Sequence, residues 1–80
     1  MKIYDYNGKK SICGERLREA RVVQRLRQED LAAKIQTMGV NLERDSISRI
    51  EIGTRFVSDF ELKVFAKALG VSVDWLLDDR

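Results

Sequence analysis

From residue 12 onward, apolar positions recur every three or four residues with polar residues between them, the period of helices that bury one face. Leu17, Ala20, the Val22–Val23 pair and Leu26 form the first stripe, with Arg16, Arg18, Glu19 and Arg25 between, and predict a helix from Ile12 to about Arg25. A second helix is predicted to open at Gln28, with Glu29 and Asp30 in the first turn, where the helix dipole favours negative charge. Leu31, Ile35 and Met38 share its inner face, and Gly39 reads as its stop. A connector follows, with Leu42 as inward anchor, and a third helix runs from about Arg44 to Ile52, closed by Gly53. Ser58-Asp59-Phe60-Glu61 is a capping box, opening a fourth helix with Leu62, Phe65, Ala66 and Leu69 on one face and Gly70 at its end. Ser72 caps a short last helix carrying Trp75, Leu76 and Leu77. The pattern predicts an all-α domain of five helices over residues 12–80, behind an arm of residues 1–11. In that arm Asn7-Gly8 is a strong turn dipeptide, compatible with a short hairpin or with a loose terminus.

The third helix breaks the simple rule. Ile47, Ile50 and Glu51 fall on one face, so a carboxylate shares the side that belongs in the core. Asp45, Ser48 and Arg49 stand on the other side, all able to form hydrogen bonds. A helix, a turn and a second helix with an exposed polar face is the arrangement of a helix-turn-helix, in which such a face meets base edges. A solvated surface would look the same on a lone helix.

Composition narrows the classes. Eighty residues make one small domain, burying only about 60% of the unfolded surface. There is no histidine and only one cysteine, Cys13, which excludes zinc-type metal clusters, Ser-His and Cys-His nucleophile pairs and an internal disulfide. No phosphate-binding glycine motif and no facing carboxylate pair occurs, so no enzyme chemistry and no cofactor is expected. No apolar run approaches the ~18 residues of a membrane span. The net charge of +2 is uneven: residues 1–35 hold nine Lys/Arg against five Asp/Glu, whereas residues 58–80 hold three against five. A polarised chain of this kind suits a polyanion on its basic side, and fits a solvated surface equally well.

"GERLREARVVQRLRQEDLAAKI", then "DSISRIEIG", then "ALGVSVDWLL" resemble the lambda-repressor-like, or Xre/Cro-type, helix-turn-helix family, over about Ile12 to Leu77. In that family the first helix carries a glycine and an arginine seven residues later, as Gly14 and Arg21 here. The glutamine that opens the second helix is Gln28, followed by the packing pair Leu31-Ala32. The Ile-Glu-x-Gly ending of the recognition helix is Ile50-Glu51-Ile52-Gly53. Three departures stand out. About five extra residues separate Ile35 from Ile47, expected to lengthen the second helix and the connector. Arg27 and Glu43 occupy positions where small polar caps are usual.

The resemblance implies that Arg21 of the first helix pairs with Glu51, clamping the recognition helix. It implies base contacts from Arg44, Asp45, Ser46 and Arg49, and phosphate contacts from Gln28, Thr54 and Arg55. The expected partner is double-stranded operator DNA, bound by a homodimer of a cytoplasmic, nucleoid-associated bacterial or phage regulator, most often a repressor. Trp75 is the candidate dimer contact, or an ordinary core lid. The arm, with Lys2, Lys9 and Lys10, is read either as packed or loose, or as reaching the DNA backbone or minor groove. Eighty residues are expected to leave no room for an effector-sensing domain, so regulation would come from concentration, proteolysis or a protein partner such as an anti-repressor. The alternatives are an antitoxin of the same fold, with a toxin as partner, and a protein-interaction module that has lost DNA binding.

Overall fold

The computed structural model describes residues 6–78. Readings that fall on residues 1–5, including Lys2 of the arm, lie outside them. The described chain forms five helices: α1 (Gly14–Val23), α2 (Gln28–Gln36), α3 (Arg44–Ile52), α4 (Asp59–Leu69) and α5 (Val73–Leu76). α3 packs on both α1 and α2, α4 on α1 and α2, and α5 closes the base against α1 and α4. One core runs through all five, with Leu17, Leu31, Ile35, Ile47, Ile50, Phe65 and Leu76 fully buried.

Helix ends follow local chemistry. Ser58 Oγ accepts from the Glu61 N–H while the Glu61 carboxylate accepts from the Ser58 N–H, the reciprocal capping box. Ser72 Oγ accepts from the Trp75 N–H. α2 starts differently. Arg27 is its N-cap, and the Asp30 carboxylate accepts both from the Arg27 backbone N–H and from its guanidinium. That pairing holds the Asp30 carboxyl below its ordinary range. Half of a capping box thus replaces the small polar cap.

Four C-terminal turns close with one motif, in which residue C″ donates to the carbonyl five residues back and C′ to the carbonyl three back. After α1 these are Leu26→Arg21 and Arg25→Val22, after α2 Val40→Ile35 and Gly39→Gln36, after α3 Thr54→Arg49 and Gly53→Ile50, after α4 Val71→Ala66 and Gly70→Lys67. The C′ residue has positive φ each time, and it is glycine in three cases and Arg25 in the fourth.

Several expectations need correction. α1 is shorter than the apolar stripe suggested, and Val22 and Val23 are exposed at 47% and 77%. The inward position is taken by Arg21. Met38 lies beyond α2 and is exposed, while Val40 inserts in its place beside Leu42, the anchor expected from the sequence. The extra residues do not lengthen α2. They form the connector between Gln36 and Arg44, held where Gln36 Nε2 donates to the Leu42 carbonyl at 2.9 Å. Leu77 is past the end of α5 and exposed. The end of the arm is a tight turn at Asn7-Gly8, both with positive φ, bridged between Tyr6 and Lys9. The Lys10 N–H donates to the Gly53 carbonyl at 2.9 Å, tying this segment to the end of α3.

Candidate nucleic-acid interface

Two contacts fix α3. The first is a close approach of backbones: a Cβ on Gly14 would run into the carbonyl of Ile50, so only glycine lets α1 begin this near α3. The second is the carboxylate on its inner side. Glu51 Oε2 accepts from Arg21 Nε at 2.7 Å and Oε1 from Arg21 Nη2 at 3.0 Å, a bidentate pair. The two side chains are 4% and 11% exposed, respectively. Arg21 Nη1 also donates to the Leu26 carbonyl at 2.7 Å, and Gln28 Nε2 donates to Glu51 Oε1 at 3.1 Å. The Arg21–Glu51 pair therefore ties together the end of α1, the α1–α2 turn, the start of α2 and α3. Buried charges persist only when paired and hydrogen-bonded, and each is here.

With Ile47 and Ile50 in the core, the helical period turns Asp45, Ser48, Arg49 and Ile52 outward, at i, i+3, i+4 and i+7. Asp45, Arg49 and Ile52 are exposed and Ser48 is half-buried. Asp45, Ser48 and Arg49 line a shallow open depression. The Arg49 guanidinium makes one long contact, Nε to the Asp45 carbonyl at 3.4 Å, and no ion pair is seen for it. Arg44 is exposed, 3.5 Å from the Asp45 carboxylate. Ser46 sits to the side of this stripe and is half-buried. Ser48 and Ile52 belong to the stripe although they were outside the expected contact set. The helical period already places Ser48 on this side in the sequence, and the same spacing from Asp45 extends to Ile52.

The expected phosphate contacts flank this face with different commitments. Gln28 is half-buried and spends one amide N–H on Glu51. Thr54 is exposed, with its hydroxyl on the Arg49 carbonyl at 3.3 Å. Arg55 is engaged: its guanidinium donates to both Glu61 oxygens at 3.1 and 3.3 Å and to the Phe56 carbonyl at 2.8 Å. Burial pushes the Glu61 carboxyl up, but the Arg55 guanidinium and the Ser58 N–H together bring it below its ordinary range. Glu61 is thus at once the capping residue of α4 and the anchor of the α3–α4 loop. Away from this face, Trp75 is half-buried under the Arg16 guanidinium, 4.5 Å from its ring centroid, and Arg16 also pairs with Asp78 at 2.7 Å. Lys9 lies 3.4 Å from Glu15, and Lys10 is exposed. Cys13 is buried, which raises its thiol pKa. Among the described residues no cluster of three or more His, Cys, Asp or Glu could hold a metal, and no helix is long and apolar enough to cross a membrane.

A sequence family described as a helix-turn-helix domain matches residues 13–77. Among solved structures, the restriction-modification controller protein C.AhdI from Aeromonas hydrophila is similar to this chain. The two share 34% identity, with 80% of this chain and 86% of that one covered, at a TM-score of 0.70. No curated protein matches.

Proposed function

The chain belongs to the lambda-repressor-like, Xre/Cro-type helix-turn-helix family of DNA-binding transcription regulators, and we propose that it reads the major groove of operator DNA with α3 and acts as a repressor. The outward stripe of α3 carries this reading. Its Asp45, Ser48 and Arg49 are polar where packing asks for nothing, and the helix bearing them is locked on its inner side by the Arg21–Glu51 pair. A major groove about 12 Å wide admits one α-helix. There Arg49 can offer two parallel donors to guanine O6 and N7, Asp45 can accept from cytosine N4, and Ser48 can meet either type of edge. Arg44 and Ser46 lie at the first turn, the end of a recognition helix that reaches deepest in such complexes. Gln28, Thr54 and Arg55 flank the stripe; Gln28 and Arg55 keep unused donors for phosphate, and Thr54 would exchange its bond to the Arg49 carbonyl for one. The protein binds as a homodimer on two half-sites about 34 Å apart, with Trp75 near the subunit contact, in the cytoplasm of a bacterial or phage-infected cell. The likeness to a restriction-modification controller protein favours restriction-modification genes as the regulated class.

The test is a mobility shift on DNA flanking the protein's own gene and on a scrambled duplex, at 50 and 200 mM salt. Tighter binding to the native sequence, with a steep loss on added salt, supports the reading. Equal binding to both sequences removes base reading. No binding to either leaves a protein-interaction module.

A further inference from the structure

We infer that Arg25, in the turn between α1 and α2, is a DNA-phosphate contact. This rests on the DNA-binding reading above and adds a residue to it. Arg25 stands at the C′ position of a turn that the same chain builds three more times with glycine. Its φ of 58° lies in the left-handed region, where a Cβ crowds the following carbonyl, so glycine would suit the backbone better. The guanidinium does not recover that cost within the fold. Arg25 is exposed. Among the described arginines, Arg16, Arg21, Arg27, Arg44 and Arg55 have carboxylate partners, whereas Arg18, Arg25 and Arg49 have none. A strained residue whose guanidinium makes no hydrogen bond or ion pair among the described residues points to a use outside the protein.

Its position says which use. The turn is tied to the interface, not merely near it in sequence. Leu26, the next residue, gives its carbonyl to Arg21 Nη1, and the same guanidinium holds Glu51 of α3. Gln28, three residues on, shares that carboxylate. Arg25 therefore sits on the rim beside the Gln28 side of the α2–α3 face. An exposed, unpaired guanidinium there meets the negatively charged backbone that flanks a groove, and it carries no base information.

The experiment uses three variants of the full chain. Arg25→Gly removes the charge and relieves the backbone. Arg25→Asn removes the charge while tolerating the left-handed conformation. Arg25→Lys keeps the charge. The glycine variant should melt at or above the wild-type temperature, by up to about 4 °C. Both Arg25→Gly and Arg25→Asn should nevertheless bind native and scrambled duplexes more weakly by the same factor. Their salt slope should fall by about 0.9 per bound protomer, so their deficit shrinks ~3.5-fold between 50 and 200 mM salt. Arg25→Lys should keep the wild-type slope. Wild-type slope and affinity in the Gly and Asn variants would overturn the assignment, as would loss of slope in Arg25→Lys. A deficit confined to the native duplex would make Arg25 a base contact and refute the phosphate role. Arg49→Ala, measured alongside, separates the two levels: if it weakens native-site binding while the Arg25 variants behave as wild type, only the Arg25 inference falls. If the wild type binds neither duplex, the parent reading falls as well.

Discussion

Removing the Glu51 carboxylate should destabilise the domain more than any surface change, and the size can be worked from its contacts. The carboxylate accepts two bonds from Arg21, at 2.7 and 3.0 Å, and one from Gln28 at 3.1 Å. A hydrogen bond to a charged group contributes about 1.5–3 kcal/mol, so the two from Arg21 set a scale of ~3–6 kcal/mol. The measured range for stranding one partner of a buried pair is about 3–5 kcal/mol, in agreement. Glu51→Ala leaves the Arg21 guanidinium, 11% exposed, with only the Leu26 carbonyl to accept from it. An 80-residue domain has a total stability of roughly 4–12 kcal/mol, so this variant sits at the edge of unfolding. Urea denaturation at low temperature should show the loss, and Arg21→Met should show a similar one. The double variant, Arg21→Met with Glu51→Leu, should recover most of the stability, because an apolar pair carries no desolvation cost. Single-variant losses within about 0.5 kcal/mol of wild type, the range of ordinary surface substitutions, would refute the reasoning. So would a double variant no more stable than the singles.

Three further outcomes follow from the same geometry. Arg49→Ala should cost ~1–3 kcal/mol on the operator and relax preference at one base pair per half-site, with folding unchanged; competition between operator and scrambled DNA checks this, and equal losses on both would demote Arg49 to a backbone contact. Gly14→Ala should destabilise by about 1–3 kcal/mol by forcing α1 and α3 apart at Ile50, read as a lower melting temperature, and a wild-type melt would contradict the close approach. The Glu61 carboxyl is lowered in the folded state, so its contribution is full above the ordinary glutamate range and is lost as pH falls through that range to the depressed value. Glu61→Gln should therefore destabilise at pH 7 and lessen the loss of stability on acidification, and thermal melts at pH 7 and pH 3.5 showing the same deficit in both would contradict this.

Much of the frame was legible in the chain itself. Ser58 and Ser72 as caps, and Gly39, Gly53 and Gly70 as ends, act through bonds to neighbours a few residues away, so short stretches of sequence specify them. The inward stripe of α3 was likewise readable from Ile47 and Ile50, and so was the hydrogen-bonding outer face. Periodicity alone could not choose among Arg21, Val22 and Val23 at the end of α1. An arginine enters a core only where a carboxylate waits, and Glu51 lies thirty residues on. The family resemblance supplied that partner, and the periodicity did not. The engagement of Arg55 by Glu61, the sharing of Glu51 by Gln28 and the insertion of Val40 from the connector were also decided by tertiary structure. Arg25 shows both levels at once. Local hydrogen bonding demanded a left-handed residue, but only the assembled fold shows that its guanidinium has nothing to hold among the described residues. Local rules fix where a chain turns because their partners are adjacent. Burial and charge pairing depend on neighbours that exist only once the helices have packed.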